Sequence, residues 1–486
     1  MGRSCSVRKW CGATLLCGLL AWCLANDLNA EQKPVRHAHG KQNVVMIFID
    51  DMGYGDIGAF GLTEVPTPNM DRLAEEGLKL TNFYVNSPIC SASRVALNTG
   101  IYPQRERIHS YLNYRKNNRK RKMPDFLDPD RFTYAKMLKA NGYATAHFGK
   151  WHIGGGRDVD DAPLPQAYGY NESLVSFEGL GDRILWSKTG NQKLSWNHGQ
   201  GEILELPKHK TTETYVDRAI DFIDRNKERP FLVNVFPNDV HDWHEPSAEQ
   251  LAKWKGKGRS EWEDKFFAIL DEMDRQIGRL LKAIDERGLT QDTIVILTSD
   301  NGPTDWKRYY DANVEPPGFT GPFFGRKWSL YEGGIRMPFM IRWPAKIRAG
   351  QVDESTVLAA IDILPSLASL TGSTIPEGTE LDGIDLSEAL LGLPMKRETP
   401  VFWEFGTYDR GIRPGKPEHV SPRIAMRAGD WKLLVNQDGS ELKLFNMKKD
   451  PGETLNLAKK KPRKVELMMP HLISWWEEMD TYYDGF

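Results

Sequence analysis

The chain is short of cysteine and of long apolar runs, and neither sign of charge is in marked excess. It has 486 residues and five cysteines, and Cys5, Cys11, Cys17 and Cys23 all lie near the N-terminus. Only Cys90 lies beyond them, so a chain trimmed of that segment can form no internal disulfide, which excludes a disulfide-built scaffold. The N-terminal apolar run, Cys11 to Ala25, is too short to span a bilayer comfortably. With 64 Lys+Arg against 66 Asp+Glu the formal charge is −2, which argues against a general nucleic-acid-binding surface. A chain that is 40% hydrophobic and 27% charged, with 43 Gly and 29 Pro, is globular rather than disordered, collagenous or polytopic.

Arg3, Arg8 and Lys9 followed by that apolar run read as a signal peptide over residues 1–25, cut after Ala25 or Ala30, with a retained signal anchor as the alternative. No lipobox is present, because Trp22 precedes Cys23. Cleavage removes three cations and no acid, leaving a mildly acidic mature chain with one thiol. Residues 26–42 are polar and read as a leader. The length fits one large α/β core over residues 43–394 with a smaller α+β partner over 395–486.

Val44 to Ile49 is a β-branched apolar run ending in Asp50 and Asp51, the pattern of a buried parallel strand. Strand-like runs recur at Tyr143 to Phe148, Phe231 to Phe236, Thr293 to Thr298 and Pro338 to Trp343. Between them, helical signals cover Pro68 to Gly77, Ser91 to Thr99, Arg131 to Asn141, Thr212 to Asn226, Trp262 to Arg287 and Ile361 to Leu370. Alternating strands and helices predict a mainly parallel sheet covered on both faces. After residue 395, strand candidates at Val401 to Phe405, Arg423 to Arg427, Trp431 to Val435 and Glu441 to Asn446 precede a helix from Val465 to Met479. They predict a small antiparallel sheet closed by a helix.

Parallel sheets bind ligands at the carboxyl ends of their strands. Two predicted strands end in oxygen donors, Asp50-Asp51 and Asp300-Asn301. Each pair alone is ordinary turn chemistry. Together they form a hard donor set suited to Ca²⁺ or Mg²⁺. Cys90 starts a predicted helix with Arg94 one turn on, where the dipole and free N–H groups favour negative charge. A lone cysteine is usually an inert core thiol; this one lies at a helix start beside a cation.

Several segments, in order and spacing, resemble the formylglycine-dependent type I sulfatases of the alkaline phosphatase superfamily. They are DDMGYGDIGAFG (50–61), CSASRVALNTGIYPQR (90–105), YATAHFGKWHIG (143–154), SDNG (299–302), GRKWSLYEGGIRMPFMIRWP (325–344), GDWKLL and DPGETLNLA. The resemblance implies an alkaline-phosphatase-like α/β fold, with residues 43–394 as the catalytic domain. It implies Ca²⁺ held by Asp50, Asp51, Asp300 and Asn301, and Cys90 oxidised to formylglycine by a maturation enzyme. Arg94 and Lys150 then hold the nucleophile, His152 takes a proton from it, and His241 and Lys327 face the sulfate and the leaving oxygen.

An aldehyde hydrate suits sulfate transfer. A serine or thiol that captured the sulfuryl group would need a second attack at sulfur, whereas the spare hydroxyl of a geminal diol expels sulfate by C–O cleavage. The expected substrate is a sulfated carbohydrate or an aryl sulfate, and the expected location periplasmic or extracellular, with no stable membrane span once the signal is cut. The family's usual C-x-P-x-R maturation signature has Ala92 in place of its proline. His244 rivals His241, and Arg326 rivals Lys327. Glu332, Gly333 and Gly334 read as turn structure. The run RKNNRKRK at 115–122 is a solvated loop or a surface for sulfated polysaccharide. Two alternatives stand beside the sulfatase reading: a phosphoesterase or phosphonate hydrolase of the same superfamily, and an inactive carbohydrate-binding relative whose 15 Trp stack on sugars.

Overall fold

A computed structural model describes residues 40–408 and 411–484. The signal peptide and most of the leader read from the sequence lie outside the described residues.

The large sheet is assembled from β1 (Asn43–Ile49), β2 (Leu78–Tyr84), β3 (Ala144–Lys150), β4 (Glu172–Ser176), β5 (Arg183–Leu185), β6 (Ile203–Glu205), β7 (Phe231–Phe236), β8 (Thr293–Ser299), β9 (Arg336–Arg342) and β10 (Gln351–Asp353). Its order is β10-β2-β9-β8-β1-β7-β3-β4-β5-β6, with β11 (Leu358–Ala359) beside β2. β9 runs antiparallel to both neighbours and the other pairings are parallel. The sheet is thus mainly parallel, as the alternation predicts.

β1 shows why its run is continuous rather than alternating. Val44, Met46 and Phe48 enter one core and Val45, Ile47 and Ile49 the other, so from Val44 onward both faces are apolar. The second core is closed by the helices Pro68–Glu75, Thr211–Asn226 and Glu261–Glu286. The last begins at Ser260, whose side chain accepts from the Glu263 N–H, with Glu261, Glu263 and Asp264 in its first turn. Phe266, Leu270, Met273 and Ile277 form its buried stripe. The first core is covered by Cys90–Thr99, Tyr134–Ala140 and Ile363–Thr371.

Some elements differ from expectation. The helix placed from Arg131 starts at Tyr134, because the Thr133 side chain caps it by accepting from the Lys136 N–H. The helix placed from Ile361 starts at Ile363, after a 3₁₀ turn over Ala360–Asp362. β2 had no clean sequence signal: a bulge between Leu80 and Phe83 breaks the alternation of LKLTNFY. Glu332, Gly333 and Gly334 belong to a short helix, Glu332–Ile335, rather than a turn.

The second sheet is antiparallel, in the order β12 (Val401–Glu404), β13 (Ile424–Ala428), β14 (Trp431–Val435) and β15 (Lys443–Asn446), and is followed by the helix Pro462–Thr481. A buried ionic cluster ties it to the large sheet. Lys432 Nζ on β14 lies 2.8 Å from Glu332 Oε1 and 3.0 Å from Glu453 Oε1, and the Tyr84 hydroxyl on β2 donates to Glu332 Oε2 at 2.5 Å. Burial pushes the Glu453 carboxyl up to about 7 despite Lys432. Lys432→Met would leave Glu453 without its cation and Glu332 with Arg336 alone, at 3.4 Å. We expect it to lower stability by about 3–5 kcal/mol, read as a lower urea midpoint at unchanged m-value.

Candidate active site

The site is built where strands end. In the β1/β8 register Ile49 faces Ser299, so Asp50-Asp51 and Asp300-Asn301 leave the sheet side by side. Asp300 N–H donates to Ile49 O at 3.0 Å, and Asp51 N–H donates to Asp300 Oδ1 at 3.1 Å. Asn301 Nδ2 donates to Asp51 Oδ1 at 2.8 Å. Asp51 itself has φ 60°, left-handed backbone that most side chains avoid. β3 ends beside them in Lys150. Gly149, with φ 140°, is needed there, because a Cβ would lie 2.3 Å from the Phe236 carbonyl oxygen on β7.

Three buried cations face the acids. Lys150 Nζ is 2.6 Å from both Asp50 oxygens, and Arg94 Nη2 is 2.6 Å from Asp300 Oδ2 and 3.7 Å from Asp50 Oδ1. Lys327 Nζ pairs with Asp51 Oδ1. The Lys327 loop is pinned by its own N–H on Pro303 O and by the Trp328 N–H on Pro88 O, both at 3.1 Å. Burial opposes the charge of Asp50, but Lys150, with Arg94 and Lys327, holds its carboxyl well below the usual range. Asp300 goes the other way, pushed up to about 7 by burial and by the neighbouring Asp50.

Cys90 opens the helix Cys90–Thr99 and is 2% exposed. Its Sγ lies 3.3 Å from Lys327 Nζ. Even so, burial outweighs Lys150 and Lys327 and pushes the thiol up to about 11. As an unmodified thiol it stays protonated near neutrality and is a poor nucleophile.

Both histidines are held neutral. Burial, reinforced by Lys150 and Arg94, keeps His152 well below the ordinary imidazole value. Its Nε2 is 3.3 Å from Leu112 O and its buried Nδ1 has no partner. His241 is likewise lowered by burial, and its Nε2 lies 3.8 Å from Asp51 Oδ2. His244 is directed elsewhere, with Nε2 3.0 Å from Val240 O and its ring against Phe266. Arg326 is spent on the carbonyls of Thr304 and Gly318 at 2.9 and 3.0 Å. The structure thus brings together Asp50, Asp51, Cys90, Arg94, Lys150, His241, Asp300, Asn301 and Lys327, with His152 on the same cavity wall.

Two neighbours carry no sequence signal. The Phe177 ring lies 4.5 Å from Lys150 Nζ, 4.8 Å from the His152 ring and 5.3 Å from the His241 ring, an apolar wall shared by these groups. Lys208 is buried and donates to the carbonyl oxygens of His241 and Trp243, each at 2.5 Å. It is a positioning residue for the His241 loop. Lys208→Met is expected to lower kcat about tenfold with KM for an aryl sulfate nearly constant, and Lys208→Arg to recover part of the loss.

The residues present fit a hard cation. Asp50, Asp51 and Asp300 are buried carboxylates, and the buried Asn301 Oδ1 accepts no hydrogen bond, an arrangement that an oxygen-seeking ion would satisfy. Ligand atoms of Asp50, Asp51, Cys90 and His241 lie within 4.8 Å of one another, so these two carboxylates, the thiol and the imidazole converge on one point. That point opens into a cavity of about 460 Å³.

The Sulfatase family model matches residues 42–373, well over half of the chain. The chain belongs to the sulfatase family. It is therefore a sulfuric ester hydrolase, on the mixed sheet with a smaller antiparallel partner that the sequence predicts. A second family model, N-sulphoglucosamine sulphohydrolase, C-terminal, matches residues 321–476 of this sulfatase. The sequence is 29% identical to an N-acetylgalactosamine-6-O-sulfatase of Bacteroides thetaiotaomicron, over 87% of this chain and 91% of that protein. It is 30% identical to human arylsulfatase A, over 85% of this chain and 83% of that one. A solved structure concerned with the metabolism of multiple glycosaminoglycans by Bacteroides thetaiotaomicron superposes with TM-score 0.71 at 26% identity, covering 91% of this chain and 99% of that one. Among the described residues no helix is long and apolar enough to cross a membrane.

Proposed function

We propose that this sulfatase is exported to the periplasm or extracellular space and hydrolyses the sulfate ester of a sulfated carbohydrate, with Cys90 matured to formylglycine and Ca²⁺ held by Asp50, Asp51, Asp300 and Asn301. The observation that carries the reading is the placement of Cys90: a buried helix-start thiol 3.3 Å from a lysine amine and within 4.8 Å of ligand atoms of Asp50, Asp51 and His241. Conversion by a formylglycine-generating enzyme would give the same carbon two hydroxyl groups in its hydrated form. When bound, Ca²⁺ supplies Lewis-acid charge toward the sulfuryl oxygens.

This chain's own residues account for the rest. Lys150 and Arg94 are immobilised by Asp50 and Asp300, so their charge is preorganised and costs no reorganisation as negative charge builds on the sulfate. Lys327 stays protonated because Asp51, together with its other acidic neighbours Asp50 and Asp300, outweighs its burial, and from beside Cys90 it can donate to a departing alcohol oxygen. His152, neutral with an unpartnered Nδ1, can accept the proton whose removal releases sulfate. His241, whose ring lies 5.3 Å from that of Phe177, takes the sulfate contact. We assign residues 43–394 as the catalytic domain and 395–486 as its C-terminal subdomain.

The test is to assay the purified protein, co-expressed with a formylglycine-generating enzyme, on an aryl sulfate and on sulfated galactosamine and glucosamine. Release of sulfate supports the proposal. Equal turnover of an aryl phosphate, or turnover of none of these, would overturn it.

A further inference from the structure

Large aromatic rings are usually covered. Among the described residues the exposed large hydrophobic side chains include two tryptophans, Trp243 at 54% and Trp306 at 40%, and both line the cavity that holds Cys90. They come from different segments. Trp243 follows His241 by two residues, while Trp306 packs 4.7 Å from Trp328, the residue next to Lys327. Each is therefore one short step outward from a residue at the floor of the cavity.

Arg308 lies between them, its guanidinium carbon 3.9 Å from the Trp243 ring centre and 5.5 Å from that of Trp306. Its Nη2 pairs with the buried Asp242, and its Nε is buried without a partner. Two aromatic faces and a guanidinium side chain that stays 30% exposed at one cavity mouth have the chemistry of a site for a pyranose ring bearing an acidic substituent: the ring's C–H face stacks on indole and the anion meets the guanidinium. If the tryptophans served only to sheath Arg308, burial of both rings would be the cheaper arrangement.

We propose that Trp243, Trp306 and Arg308 form a subsite for a second, acidic sugar residue adjoining the one that carries the scissile sulfate. The substrate is then an oligosaccharide or polysaccharide with a negative charge on neighbouring units. This inference rests on the sulfated-carbohydrate reading above, and binding separates the two. Full-length Cys90→Ala protein is titrated calorimetrically, in buffer with Ca²⁺, with 6-sulfated N-acetylgalactosamine, a chondroitin 6-sulfate tetrasaccharide and a ι-carrageenan tetrasaccharide.

At least one tetrasaccharide is expected to bind about tenfold more tightly than the monosaccharide, and Trp306→Ala in the same background to abolish that difference. Arg308→Gln, checked for an unchanged unfolding midpoint, is expected to weaken the tetrasaccharide alone. Preference for the chondroitin probe assigns the charge to a carboxylate, and preference for the carrageenan probe assigns it to a sulfate. Tetrasaccharides that bind no more tightly than the monosaccharide, or a Trp306→Ala loss equal for both, overturn the subsite. If the unsubstituted protein hydrolyses nothing while the Trp306-dependent difference persists, the hydrolytic reading fails and the subsite stands.

Discussion

Cys90→Ala protein will hydrolyse an aryl sulfate at least about 10⁴-fold more slowly than the unsubstituted protein while keeping its unfolding midpoint, the size of loss seen when a nucleophile is deleted from an otherwise intact site. Alanine removes little volume from a position already at a helix start, so the helix Cys90–Thr99 and its contacts should survive. Cys90→Ser separates two explanations. If an ordinary hydroxyl or thiol were sufficient, serine would restore turnover. If a geminal diol is required, serine can accept a sulfuryl group at most once, and the product is a stoichiometric burst without further turnover. The companion measurement is the mass of the peptide spanning Cys90, which should be about 18 Da lighter than the cysteine form when the aldehyde is present. Full-rate turnover by protein whose Cys90 peptide has only the cysteine mass would end the formylglycine proposal, and with it the significance of the raised thiol.

The sheet was legible because its central strands are buried on both faces: the unbroken runs at Val44 to Ile49 and Thr293 to Thr298 fall within β1 and β8. The acids and amide at the ends of those strands were legible only as a pair of pairs, since either one alone is ordinary turn chemistry. β2 was not, because its bulge hides the period. Phe177 and Lys208 were invisible because their importance comes from the groups that tertiary structure places beside them. Phe177 is one aromatic residue among 20 Phe, and Lys208 matters through two backbone carbonyls that no side-chain pattern reveals. The choice between His241 and His244, three residues apart, needed the chain's path: one imidazole faces Asp51 and the other the helix Glu261–Glu286. The basic run at 115–122 is divided by its partners. Arg115 is bound by Asp125 and Asp161, and Arg121 lies 4.4 Å over Tyr111, while Lys116, Arg119, Lys120 and Lys122 are exposed. A count of cations could not separate those two groups.

Stripping the protein with EGTA will lower kcat/KM for an aryl sulfate by at least about a thousandfold and lower the unfolding midpoint, and Ca²⁺ will restore both. The reason lies in the charge of the buried floor. Asp50, Asp51 and Asp300 are matched by Arg94, Lys150 and Lys327, so these side chains sum to zero with every group ionised. Charges that cancel when the carboxylates are ionised give a sulfate monoanion little reason to leave water, whereas a divalent ion on the same oxygens keeps all three ionised and still gives the site a net positive charge. Because the ion binds the folded state, stability should rise with the logarithm of free Ca²⁺, by about 4 kcal/mol at a thousandfold excess over Kd. Asp300→Asn should weaken that dependence by removing one carboxylate, and Zn²⁺ should substitute poorly on oxygen donors that suit a harder ion. A midpoint that ignores Ca²⁺ in both proteins would mean that the three cations alone satisfy these carboxylates and that Asn301 Oδ1 is left unpaired for another reason.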